Sequence, residues 1–224
     1  MIIVSRVRWM QLRTLATAVL LVCSLSAHAA KKAPPLQDVL QYPAKDTHAQ
    51  EKVTIAVDPY DTRERADFFR IDYVGHGFLP VRVIIRNDGD KALSLDEVRI
   101  QLVPAHGERI PAALPSEINR RIFRIKDVGA KHIPGVPIIT YHKTPVDKKI
   151  ADDDKDFGFW STTVEPHSTL AGFLFYDIED LGDAPLKGAE IYIREIRTMD
   201  GKQRFFPFTI SLDKYLATKD KQNK

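Results

Sequence analysis

Asp152, Asp154 and Asp156 stand at alternate positions with Gly158 close behind, a spacing that could gather carboxylate oxygens around a hard cation such as calcium. The pattern departs from a calcium loop in detail. Counted from Asp152, Phe157 takes the place that needs glycine and Thr163 the place that needs a bidentate glutamate. A solvated acidic helix end is expected instead, its charges opposing the helix dipole, and no metal or other cofactor is assigned. Beyond residue 29 the histidines are His48, His76, His106, His132, His142 and His167, none in the close pair that a metal-binding helix supplies. His132 and His142 share one long connection, yet turn or surface roles are favoured for them.

Nucleophilic and acid–base chemistry find little purchase. No Gly-x-Ser-x-Gly elbow occurs, and His167-Ser168 is mere adjacency. Asp177, Glu179 and Asp180 follow a strand-like run and read as loop solvation rather than a glycosidase-like pair. Arg120-Arg121-Ile122-Phe123 resembles part of a twin-arginine export motif, but mid-chain it cannot serve as an N-terminal signal, and it reads as helix surface. Cys23 is the only cysteine, and Met199 the only methionine beyond Met10, so thiolate and methionine metal sites have no ligands past the N-terminal segment. No catalytic residue is assigned.

The remaining candidates are aromatic. Phe157, Phe159 and Trp160 cluster directly after the acidic stretch, and exposed aromatics can anchor a partner at low entropic cost. Packing of Phe159 and Trp160 into the core is favoured over exposure. The three are the candidate partner contact if that packing fails.

Lys plus Arg number 33 against 30 for Asp plus Glu. The excess is Arg6, Arg8 and Arg13, all within an acid-free stretch of residues 1–29, so the rest of the chain is balanced. A balanced body argues against nucleic acid or an anionic membrane as partner. The three arginines precede an apolar run from Leu15 to Leu25 and then Ala27-His28-Ala29, the order of a secretory signal peptide over residues 1–29. Met10 would serve as an alternative start. The run is too short for a transmembrane helix, which needs about 20 residues. Lipidation of Cys23 is disfavoured by Val22 before it. A periplasmic or secreted protein is expected.

Residues 30–50, with Pro34-Pro35, lack periodicity and read as a flexible N-terminal segment. Strand alternation follows at Val53–Val57, Val81–Arg86, Val98–Val103, Glu190–Arg194 and Arg204–Leu212, with Phe68–Val74 a further candidate. Leu170–Tyr176 is apolar on both faces, as a central covered strand would be. Asn87-Asp88-Gly89-Asp90 is the strongest hairpin signal, Pro104-Ala105-His106-Gly107 offers a second turn, and Pro207 marks an edge strand. Ser116 caps a short helix through Arg121, and Thr144-Pro145 opens another through about Asp154. The expected fold is mainly β: a single antiparallel sandwich over residues 51–216, one or two short helices in an insertion at about 115–158, and a disordered tail at 217–224.

The strand spacing, the Arg86–Asp90 turn and the Gly172-Phe173-Leu174-Phe175 strand after Pro166 resemble uncharacterised bacterial secreted immunoglobulin-like domains. That resemblance implies a scaffold for binding or assembly, with another envelope protein as partner, and a fold alone names no partner. A small-ligand or divalent-cation binder using residues 129–160 is the alternative, and a hydrolase the third reading.

Overall fold

In the computed structural model the described residues are 32–126 and 145–222. The expected signal peptide, and the connection carrying His132 and His142, lie outside them. Among the described residues the chain from Ala33 onward forms one compact unit. Among the described residues eleven strands form three antiparallel sheets, accompanied by three α-helices.

Sheet A orders β1 (Lys45–His48), β2 (Val53–Pro59), β3 (Phe78–Asn87) and β8 (Ser168–Asp177). Sheet C orders β11 (Phe208–Ser211), β9 (Glu190–Arg194), β5 (Arg99–Val103) and β6 (Ile110–Pro111). Alternation decides which side chains meet between them. Val53, Ile55 and Val57 of β2 and Val81, Val83 and Ile85 of β3 share one core with Ile100, Leu102, Ile191, Ile193, Phe208 and Ile210 of sheet C. Each such side chain, fully buried, contributes about 1.5–3 kcal/mol. Sheet B, of β10 (Arg197–Thr198), β4 (Leu93–Ser94) and β7 (Thr163–Val164), lies on the routes between them: the chain runs β3–β4–β5, β7–β8 and β9–β10.

Asn87 makes one of those crossings. Its buried side-chain amide donates to the carbonyls of Lys91 at 2.8 Å, Val164 at 3.3 Å and Glu165 at 3.1 Å, and its Oδ1 accepts from Gly89 N–H at 3.0 Å. The expected hairpin at 87–90 is therefore a corner, because β3 pairs with β2 and β8 whereas β4 pairs with β10 and β7. The turn at 104–107 does close a hairpin, β5 with β6.

The second face of sheet A is covered as well. Val39 and Tyr42 pack on Ala56 and Ile84. Beside them Phe68, Phe69, Ile71 and Tyr73 join Phe173 and Phe175 of β8 and helices α1 (Pro115–Lys126) and α2 (Val146–Phe157) in a second core. Two faces of burial explain the unbroken apolar runs of β3 and β8. They do not make β8 central: it ends the sheet, its free edge met by a parallel bridge from Gly158 to Phe173 and by the Ala113 N–H bond to the Phe175 carbonyl.

Four elements differ from expectation. Structure begins before residue 51, with a 3-10 turn at Val39–Gln41 and with β1, which pairs with β2 through its backbone while His48 stacks on Phe208 at 3.7 Å. The 68–74 segment is a chain of turns rather than a strand, its rings filling the space beside β8. Helix α3 (Asp213–Gln222) occupies most of the expected tail, because Tyr215 is buried against the main core. The helix expected at Ser116 starts instead at Pro115. Glu117 reaches back to accept the Leu114 N–H at 2.8 Å, half of a capping box.

Candidate functional site

Val146, Ile150, Asp153 and Phe157 fall on one face of α2 and pack into the second core. The acid on this apolar stripe is the structurally decisive one. Asp153 is fully buried and accepts from the Arg70 backbone N–H at 2.9 Å, the Arg70 guanidinium at 2.8 Å and the Tyr73 hydroxyl at 3.1 Å. Burial pushes its carboxyl above the ordinary range, against the pull of Arg70 and Tyr73. Its flanking acids do not join it in a metal site, and among the described residues no three His, Cys, Asp or Glu side chains are grouped as ligands.

The aromatic trio divides. Phe157 packs edge-on against Phe68 at 5.3 Å and Phe69 at 5.4 Å, and Phe159 is half-buried against the main core. Trp160 is 65% exposed, contrary to the favoured packing, with its indole N–H donating to the Asp154 carbonyl. Two glycines place this loop: a Cβ on Gly172 would lie 2.6 Å from Phe159 Cα, and one on Gly158 only 2.4 Å from the Asp154 carbonyl oxygen. The ring stays outside because the backbone itself fills the space against β8.

Several of the acids and histidines weighed for chemistry have structural partners. Arg121 pairs with Asp177 and Glu179, at one side of a groove of about 670 Å³ that Phe78, Ile110 and Pro111 also line. His167 sits 3.1 Å from Asp90, not on Ser168, whose hydroxyl donates to the Glu165 carbonyl. His48 lies within 3.5 Å of Asp46. His76 belongs to a 3-10 turn that ends at Gly77 with φ of 76°, and His106 is exposed in the 104–107 turn.

The surface that sequence reasoning missed is the outer face of sheet C. Strand alternation sends Ile191 and Ile193 inward, so Tyr192 and Arg194 project to the opposite side, together with Arg99, Gln101 and Thr209. Among the described residues no helix is laid over it. Arg99 and Arg194 are directly opposite across β5 and β9, a like-charge pair that costs stability, and neither has an acidic partner among the described residues. Arg109 holds its guanidinium 4.2 Å over the Tyr192 ring, also with no acidic partner among the described residues. The Arg194 Nε and Gln101 Oε1 atoms are buried with no hydrogen-bond partner. Beside them a cleft of about 290 Å³ is lined by Tyr192, Arg194, Arg204, Phe206 and one acid, Glu195, with Phe206 77% exposed. The pairing of Arg99 with Arg194 depends on register, which the sequence does not reveal.

Compared with models of known protein families, with curated proteins and with solved structures, the chain matches none of them.

Proposed function

We propose that this chain is a non-enzymatic binding module of the bacterial cell envelope, exported to the periplasm or beyond, that engages another envelope protein through the outer face of β5, β9 and β11. Export is supported by the arginine-flanked apolar run and the Ala27-His28-Ala29 site. The antiparallel sheets sharing one core support an immunoglobulin-like sandwich as the scaffold.

One observation carries the reading: a sheet face over which no described helix lies holds two arginines opposite one another with no acidic partner among the described residues, next to an exposed phenylalanine. Desolvated arginine and aromatic side chains are the residue types that dominate protein interfaces. Of the aromatic trio, only Trp160 has the exposure for a contact, and its single ring beside α2 offers less area than the sheet face.

The test is photo-crosslinking in intact cells from a photoreactive residue placed at Tyr192, with exposed Thr169 of β8 as the control position. A discrete adduct from 192 and none from 169 is expected. No adduct from 192, or the same adducts from both positions, would overturn the reading.

A further inference from the structure

Resting on that reading of the β5–β9–β11 face, we infer that its occupant is an extended acidic polypeptide segment presenting carboxylates on alternate residues. Three features of the face select this chemistry. The first is charge. Arg99, Arg194 and Arg109 have no acidic partner among the described residues, and each guanidinium offers the planar fork that matches a carboxylate.

The second is pre-organisation. Arg109 lies over the Tyr192 ring, so that face of the ring is taken and does not serve as a stacking platform for a sugar or base. The cation is held by the ring while its donors remain free, which lowers the ordering cost of receiving an anion.

The third is extent. Tyr192, which positions Arg109, and Arg194 are two residues apart on β9, a rise of about 7 Å, the repeat between same-side residues of an extended peptide. The positive strip then stops. Glu190 stands two residues further along the same face, and at the other end Glu195 pairs with Arg204 and lies 3.7 Å from Arg197. Two basic positions bounded by acids suit two or three carboxylates. They do not suit a polyphosphate backbone or the plane of an anionic membrane, which reward a longer basic track.

Fluorescence anisotropy with the full chain tests this. The probes are a labelled Thr-Glu-Thr-Glu-Thr-Glu-Thr peptide, its Gln-for-Glu counterpart, a thymidine oligonucleotide and phosphatidylglycerol vesicles. The Glu peptide binds at least ~tenfold tighter than the Gln peptide, and R194Q and R109Q each weaken it about tenfold, with the thermal midpoint unchanged in R109Q and not lowered in R194Q, which relieves the like-charge pair. Arg109 is an exposed loop residue, so R109Q keeps the test valid if R194Q perturbs the sheet. Equal binding of the two peptides, indifference to R109Q, or tighter binding of the oligonucleotide or vesicles would overturn the inference. A 192 crosslink obtained in cells alongside a failed Glu peptide removes this inference alone, whereas loss of the crosslink removes the reading beneath it.

Discussion

The Arg65 guanidinium donates to the Tyr215 hydroxyl at 2.6 Å across 150 residues of chain. The same guanidinium holds Asp58 at 2.8 Å and lies 4.7 Å over the Tyr60 ring, while the Tyr215 hydroxyl donates a hydrogen bond to Asp61 at 2.7 Å. Lys219 also reaches Asp61, at 2.7 Å, so α3 is fixed to the 58–65 segment by polar contacts as well as by Tyr215 burial. Removing the hydroxyl in Y215F leaves a partly buried guanidinium one acceptor short. Urea denaturation of the variant is expected to show a loss of about 1 kcal/mol, and an unchanged midpoint would contradict the role assigned to this contact.

Asp153 offers a larger effect. D153A strips the acceptor from the Arg70 backbone, the Arg70 guanidinium and the Tyr73 hydroxyl in a site with no exposure to water. Destabilisation of about 3 kcal/mol is expected, as for the breaking of other buried ion pairs. R70A costs less, since the buried Asp153 keeps the residue-70 backbone N–H and the Tyr73 hydroxyl as donors. Equal effects of the two substitutions would argue against those two retained bonds as the reason for the difference.

Gly172 gives a steric test. G172A places a methyl group within 2.6 Å of Phe159 Cα and 2.7 Å of the Gly158 carbonyl oxygen, backbone atoms that cannot rotate away. The 158–160 loop must lift from β8, at a cost of about 1–3 kcal/mol. Hydrogen exchange should quicken at the 157–160 amides and stay unchanged in β5 and β9.

Alkaline titration tests the tyrosines. Burial pushes the Tyr60 hydroxyl up to about 12, and burial raises Tyr73, Tyr176 and Tyr215 further. Above pH 10 the unfolded chain releases these protons while the folded chain retains them, so stability falls as pH rises. The Tyr60 share is lost between about pH 10 and 12 and amounts to about 2–3 kcal/mol. Phenolate absorbance of the folded protein should therefore lag behind that of the urea-unfolded protein across this interval. Y60F should lessen the pH slope of stability there.

Half-buried strands were legible where period-two alternation was strong, as in Val98–Val103 and Glu190–Arg194, because that pattern is itself the consequence of one face meeting a core, whereas Val53–Val57 alternates although both of its faces are buried. Lys45–His48 carries no apolar alternation; its pairing comes from the backbone and from His48 on Phe208, which only the fold supplies. Phe68–Tyr73 misleads in the opposite way, since four buried side chains can fill a space without being a strand. Turn chemistry at Asn87–Asp90 was readable, but whether the next strand folds back or crosses to another sheet depends on Val164 and Glu165, distant in sequence. Asp153 falls between the alternately spaced Asp152, Asp154 and Asp156 and outside their pattern; its helical spacing from Ile150 and Phe157 is the signal that marks it. The Arg99–Arg194 opposition is a product of register alone.

The bond from Thr209 N–H to Asp46 and that from Arg65 to Tyr215 both join the two ends of the folded unit. The early segments therefore wait for residues 209–215 before either closure can form, so the unit shuts on contacts of very long sequence separation, the kind that form late and slowly in folding.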